Sequence, residues 1–191
     1  MGFEDELNRQ LAARKVADAQ SAQESVARSR RGERAADQLE AGLRQLAEHL
    51  GRQSPPRPYK IRPRRNWRTP AVMSPPGFPL QADWSRLHSG PNPSSLSSLD
   101  MLLPDGRVWR YIQHSPPRQE DIRGKLTAHG SVSIAGTSFY ADSVSGDLYA
   151  EEWDNSGETN VRVSADKVLA SWAMSFRERG VATGSRLPII G

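Results

Sequence analysis

The sequence contains no cysteine, which excludes disulfides, thiol catalysis and cysteine-based zinc or iron–sulfur sites. Long apolar runs are also missing, because no stretch approaches the roughly 18 apolar residues that a bilayer-spanning helix needs. The first residues, MGFEDELN, are acidic and lack the apolar core of a secretory signal peptide. We therefore expect no membrane insertion and no export by a signal peptide.

Patterns of catalytic and ligand-binding residues are equally scarce. The four histidines form neither an HxxxH nor an HExxH pair, so metal binding is not expected: His49, His88, His114 and His129. Serine nucleophile motifs of the GxSxG type and glycine-rich phosphate loops are absent. The sequence therefore predicts a protein that is not an enzyme and has no catalytic, metal-binding or cofactor-binding residues.

Composition divides the chain into parts. Hydrophobic residues make up 36% and the mean hydropathy is −0.67, both low for a chain that packs entirely into a core. The net charge of +4 is uneven, since residues 52–99 carry eight basic residues and one acidic residue, and ten of the fourteen prolines lie between 51 and 98. We therefore expect a helical segment at 1–51, an extended linker or strap at 52–99, a folded domain at 100–180 and an extended tail at 181–191.

The first segment, residues 3–50, contains no proline and is rich in residues that favour helix. Near its end, apolar residues repeat at spacings of three and four, as in the seam of a coiled coil: Ala36, Leu39, Leu43, Leu46 and Leu50. A helix this polar needs a partner, which predicts a homo-oligomer, for instance a trimer, or docking on another protein. A looser stripe precedes it: Phe3, Leu7, Leu11 and Val16. Gly32, which follows a basic patch, is expected to interrupt the helix.

The stretch SPPRPYKIRPRRNWRTP at 54–70 carries five prolines and six basic residues without an acidic one. Proline at this density blocks helices and interrupts sheet hydrogen bonding, so we expect a strap that lies along an acidic neighbouring protein. Its predicted anchors are aromatic and basic side chains: Tyr59, Trp67, Trp84, Arg62, Arg64, Arg65 and Arg68. The alternative is a nucleic-acid-binding arm at 57–68, because basic side chains neutralise phosphates and aromatic rings stack on bases.

Residues 100–180 have the patterning of a small antiparallel β domain with one helix. Residues 107–113 alternate in polarity after a Pro-Asp-Gly turn, which predicts a strand. Further strands are predicted between glycine-containing turns: 125–128, 131–134, 137–141, 147–153 and 160–163. One helix is predicted after Ser164, with an apolar face that includes Trp172 and a stop at Gly180. The predicted fold class is therefore α+β.

Acidic residues surround Trp153 and suggest a second alternative function: Glu151, Glu152, Asp154 and Glu158. Paired carboxylates beside an aromatic ring are typical of sites that act on or bind sugars. Because Glu151 and Glu152 are adjacent, they point to opposite faces of a strand, and a solvated hairpin end is the competing interpretation. A surface-glycan-binding module in the C-terminal domain stays an alternative.

The opening, MGFEDELNRQLAARKVADAQSAQESVARSRRGERAADQLEAGL, resembles the Ala/Arg-rich helical start of small minor tail proteins of phages that infect high-GC actinobacteria. The plan of helix, linker and compact β domain is similar to theirs as well. The resemblance is compositional and carries no site residue with it. It implies a structural protein of the virion tail tip, made in the host cytoplasm, that assembles with other tail proteins.

Overall fold

The computed structural model describes residues 2–63, 70–82, 94–96, 98–113, 115–153 and 160–179. Within these ranges the elements are α1 (Phe3–Gln53), β1 (Lys60–Pro63), β2 (Val72–Met73), β3 (Phe78–Ala82), β4 (Ser94–Leu96), β5 (Ser98–Leu102), β6 (Val108–Ile112), β7 (Arg118–Gln119), α2 (Ile122–His129), β8 (Ser131–Ile134), β9 (Thr137–Ala141), β10 (Leu148–Trp153), β11 (Asn160–Ser164) and α3 (Ala165–Arg179). The predicted α+β class, with a long N-terminal helix, is confirmed.

The strands form three small sheets. Two are antiparallel and four-stranded, in the orders β3-β5-β6-β7 and β11-β10-β9-β8, and the third is β2-β1-β4, in which β1 and β4 run parallel. The strands predicted at 131–134 and 137–141 are β8 and β9, and those predicted at 107–113, 147–153 and 160–163 overlap β6, β10 and β11. Alternating polarity therefore located most of the strands of the C-terminal part.

Helix α1 is continuous, so the predicted interruption at Gly32 is wrong. Gly32 is buried where α2 crosses α1, and a Cβ atom there would lie 2.4 Å from the carbonyl oxygen of Leu126. A Cβ atom at Gly42 would lie 2.6 Å from Cδ1 of Leu169, on α3. These glycines therefore allow two helices to approach α1 closely, and they do not break it.

The predicted oligomer seam is covered by the chain itself. Its five residues lie in the main core, with exposures between 0% and 5%: Ala36, Leu39, Leu43, Leu46 and Leu50. The same core contains Leu126 of α2, Phe139 of β9 and Trp172 of α3. The periodicity was that of a buried helix face, but the partner is the C-terminal part of the same chain. The prediction that these residues join separate copies is corrected.

Helix α2 replaces the strand predicted at 125–128, which is wrong. Asp121 caps the first turn by accepting a hydrogen bond from the backbone N–H of Gly124 at 2.9 Å. Gly130 ends the helix in the left-handed region, with φ of 70°, and donates its N–H to the carbonyl oxygen of Leu126 at 2.9 Å. Both caps suit a short helix whose four central residues also alternate in polarity.

Two parts of the predicted strap belong to the folded body. Strand β3 pairs with β5 at the edge of its sheet, and the register shifts between Pro79 and Gln81. Proline is tolerated at edges and bulges because the sheet needs no N–H from it there. Strand β1 pairs with β2 and β4, and its Ile61 is fully buried in a cluster with Leu99, Met101 and Tyr111. The expectation that 52–99 is only an extended strap on another protein is therefore corrected for these strands.

None of the helices in the described ranges combines the length and apolar character that a bilayer crossing requires.

Candidate functional site

The first half of α1 projects from the body. In residues 4–26, called the projecting segment below, every described side chain except that of Glu6 is exposed. Burial begins at Ala27 and is complete at Gly32, where α2 meets the helix. At 1.5 Å per residue, the projecting segment extends about 35 Å. This segment is therefore the largest described element whose surface the chain leaves uncovered.

Large apolar side chains lie on this uncovered helix. Leu7, Leu11, Val16 and Val26 are 43%, 50%, 58% and 52% exposed. At 100° per residue, Leu7, Leu11 and Val26 share an arc of about 100°, while Val16 lies on the opposite side. The predicted stripe is therefore corrected at Val16 and extended to Val26. The side chain of Phe3 lies outside what the structure describes.

Exposed Ala22 completes the apolar set on this arc, and exposed Lys15 and Asp18 lie midway along it. We call these six residues the arc: Leu7, Leu11, Lys15, Asp18, Ala22 and Val26. The polar residues Glu4, Asn8 and Ser25 fall in the same angular range and are also exposed. Carboxylates in the first turn of α1, such as Glu6, interact favourably with the positive, N-terminal end of the helix dipole. Glu6 also pairs with Arg9 at 2.5 Å, so charge supports the helix at its free end.

The predicted strap anchors are only partly within the described chain. Tyr59 is half-buried against the small core of Ile61, Leu99, Met101 and Tyr111, and burial raises the pKa of its hydroxyl. Tyr59 therefore packs against a core of its own chain. The side chain of Arg62 and all of Arg64, Arg65, Trp67, Arg68 and Trp84 lie outside the described residues.

A polar cleft of about 470 Å³ lies between α1, the turn before β6 and the start of α2. Several of its charged groups form ion pairs. Arg123 donates to Asp37 at 2.6 Å and to Glu40 at 2.8 Å, which raises the pKa of its guanidinium, and Arg107 donates to Asp105 at 2.5 Å. The described lining residues include no serine, cysteine or histidine beside a base. The ion pairs of Arg123 therefore connect α2 to α1 at this cleft.

A buried charge cluster joins two sheets. Arg110 donates from Nε and Nη2 to the two carboxylate oxygens of Asp100, both at 2.7 Å, and from Nη2 to the carbonyl oxygen of Ser133 at 2.7 Å. Asp100 also accepts the N–H of Ala135 at 2.8 Å, and Arg110 lies 3.2 Å from Glu120. The hydrogen bond with Asp100 is the main cause of the raised pKa of Arg110. Every group is committed to the fold, so the cluster is structural.

Sequence reasoning missed this cluster, although a signal was present. Asp100 and Arg110 interrupt the apolar strands SLDML and VWRYI, and they are direct partners in the register of β5 and β6. A charge at a central strand position usually has a buried partner.

The exposed face of the β11-β10-β9-β8 sheet carries two stacked tyrosines. The rings of Tyr140 and Tyr149 are 5.3 Å apart, and the guanidinium of Arg162 lies 3.9 Å from the centre of Tyr149. Arg162 is held by Asp142 at 2.8 Å. Of the residues predicted for a glycan site, Asp154 and Glu158 lie outside the described chain, as do the side chains of Glu152 and Trp153. The glycan alternative therefore stays a prediction.

No group of three or more His, Asp or Glu side chains in the described ranges is arranged to hold a metal ion. No family model matches the sequence, and no curated protein or solved structure shows significant similarity to it.

Proposed function

We propose that this chain is a non-enzymatic structural component of a larger protein assembly and that it docks through the projecting segment of α1. The observation that carries the proposal is the exposure of Leu7, Leu11 and Val26 along one side of a helix that the body leaves uncovered. Single exposed apolar side chains are ordinary on protein surfaces. A row of them on an amphipathic helix is the pattern of helix-in-groove or helix–helix recognition.

Most of the stability of helices in proteins comes from packing of an apolar face. The projecting segment receives no such packing from its own chain, and each large side chain on it would contribute about 1.5–3 kcal/mol on full burial. A partner would supply this packing.

The more specific form of the proposal is a minor tail protein at the tip of a phage tail. It rests on the resemblance of the first residues and on the combination of a free helix with a compact body. The basic stretch at 57–68 would run along an acidic neighbour in the same assembly, and a nucleic-acid-binding arm is the alternative for that stretch, distinguished by a steep loss of affinity with salt.

The test compares the full chain with a chain that lacks residues 2–26, both produced in the cells in which the protein is naturally made. We expect the full chain to elute from gel filtration of the native extract in a high-mass complex. The shortened chain should elute as the free protein. Thermal unfolding of the purified shortened chain is the control, and its Tm should match that of the full chain because the core begins after residue 26.

Two outcomes would contradict the proposal. Elution of the full chain at the mass of a monomer in the native extract would show that the chain is not part of a larger assembly there. Retention of the shortened, folded chain in the same complex would place docking elsewhere, and the basic stretch would become the next candidate.

A further inference from the structure

We propose that the projecting segment binds the projecting segment of a second copy of this chain, antiparallel, across the arc. The inference rests on the proposed function and names the partner. The described chain offers one extended helix surface that is free, and the pattern of residues on it indicates what covers it.

The arc is compatible with two-fold symmetry. An antiparallel partner that places its Leu7 opposite Val26 also places its Leu11 opposite Ala22 and its Lys15 opposite Asp18. Each residue of the arc thus meets another residue of the arc, as a closed dimer with identical surfaces requires. The crossing point lies between residues 16 and 17. A shallow groove of about 370 Å³ runs along the Val26 edge of the arc and is lined by Ala22, Gln23, Val26, Ala27 and Arg30.

Charge selects the antiparallel arrangement. Lys15 and Asp18 are both exposed and lie in the middle of the apolar arc. In a parallel, in-register pair each would face the same residue of the partner, and like charges would oppose one another. In the antiparallel pair each lysine meets an aspartate, twice per dimer. The antiparallel pair also places the positive end of each helix dipole beside the negative end of the other, which is favourable, whereas a parallel pair places like ends together.

The body does not block this arrangement. The partner's first turn would reach the level of residues 28–31, where α1 enters the body. Exposed Glu33 falls within the angular range of the arc, and exposed Arg30 lies about 40° beyond its Val26 edge. The β9–β10 turn contacts the opposite side of the helix, at Arg31, whereas α2 contacts Gly32 next to the Leu7 edge of the arc, about 70° from the centre of the arc.

The expected dimer is weak. A strip about 35 Å long and about 10 Å wide on each copy buries on the order of 700 Å² in total, below the roughly 1,200–2,000 Å² of a standard interface. We therefore expect a dissociation constant in the micromolar range or above.

The first experiment is sedimentation equilibrium of the purified full chain across micromolar concentrations. We expect a monomer–dimer equilibrium that Leu11→Glu weakens at least about tenfold, because a charge replaces a buried apolar contact in both copies. Val16→Glu is the matched control, since Val16 has similar exposure but lies on the opposite side of the helix. Equal weakening by both variants would overturn the assignment of the arc.

The second experiment exchanges charges. Lys15→Asp and Asp18→Lys should each weaken the dimer several-fold, since each creates like-charge pairs. The double variant K15D/D18K should restore wild-type affinity. A parallel pair would not respond in this way, because each position would still face itself.

The third experiment reads orientation directly, and the absence of native cysteine gives it a clean background. Under mild oxidation, a mixture of Leu11→Cys and Ala22→Cys chains should form a disulfide-linked heterodimer, while Leu11→Cys alone should not. Efficient linkage of Leu11→Cys to itself would overturn the antiparallel arrangement.

The outcomes also separate this inference from the proposed function. A purified chain that stays monomeric at all concentrations, together with a high-mass complex in the native extract, overturns self-association and leaves docking on a different protein. A dimer in purified form, with nothing larger in the native extract, supports the inference and overturns the larger assembly.

Discussion

Replacing Gly32 with alanine should destabilise the fold, although the same change normally strengthens a helix. In a helix interior, Gly→Ala contributes about 1 kcal/mol. At Gly32 the added Cβ would lie 2.4 Å from the carbonyl oxygen of Leu126 and 2.6 Å from Cα of Thr127. Both are backbone atoms of α2, so α1 and α2 would have to separate.

The magnitude follows from the two opposing effects. Overpacking in a well-packed interior costs about 1–3 kcal/mol, and backbone contacts belong at the upper end. After the helical gain is subtracted, we expect a net loss of about 2 kcal/mol, which corresponds to a fall in Tm of about 4–8 °C for a chain of this size.

Two other glycines of the same helix are matched controls. At Gly42 the close atom is Cδ1 of Leu169, the flexible end of a side chain, so the gain and the cost should nearly cancel. At Gly51 the nearest atom is Cζ of Phe78 at an ordinary 3.8 Å, so alanine should stabilise by up to about 1 kcal/mol. Thermal and urea unfolding of the three variants measure the series.

The sign of the change at Gly32 decides between two descriptions of α1. If Gly32 were a break in the helix, alanine would stabilise it, as at Gly51. A Tm for Gly32→Ala equal to or above that of wild type would therefore refute the close crossing of α1 and α2.

Three further predictions concern the body, each measured by thermal unfolding. Asp100→Ala should lower the free energy of unfolding by about 3–5 kcal/mol, because it leaves the buried Arg110 guanidinium and the N–H of Ala135 without their acceptor. Asp37→Ala, which removes an exposed ion pair, should lower it by less than about 1 kcal/mol. Ala135→Gly should leave the Tm within about 3 °C of wild type, because relief of the φ of 51° is offset by loss of a fully buried methyl group and by the greater freedom of glycine in the unfolded chain; a larger shift in either direction would contradict this. Hydrogen bonds from the N–H groups of Ser145 and Val144, then from Arg162, lower the pKa of Asp142. The ionised Asp142 carboxylate therefore stabilises the folded state above about pH 4, and this stabilisation is lost as the pH falls further. The difference in Tm between wild type and Asp142→Asn should accordingly shrink below about pH 4.

The fold was predictable where periodicity is local. The spacing of leucines from Leu39 to Leu50 reports a buried helix face, and alternation reports the strands around β8 to β11. What covers a helix face is a long-range property, and nothing in the spacing distinguishes another chain from the chain's own C-terminal part. Gly32 was misinterpreted for a related reason, since glycine serves both helix ends and close helix crossings.

The candidate site was partly visible in the sequence. Leu7 and Leu11 stand out as large residues, but Val26 follows more than three turns later among Ala, Gln and Ser. The helix predicted from residue 3 already continues through residue 26, but no apolar repeat links Leu11 to Val26, so the sequence pattern did not single Val26 out. The pairing of Asp100 with Arg110 depends on the register of β5 and β6, which turn length and packing determine together.

The two halves of α1 differ in burial and not in secondary structure, and this changes where the chain should be divided. A boundary at residue 51, suggested by the onset of proline, would separate Leu39, Leu43 and Leu50 from the core they fill. Loss of even one such leucine costs about 2–5 kcal/mol, so removal of residues 1–50 would unfold the body. Loss of assembly in that variant would report folding alone. A boundary at residue 26 leaves the buried half of α1 intact, so a deletion that ends there can report on docking by the projecting segment without unfolding the body.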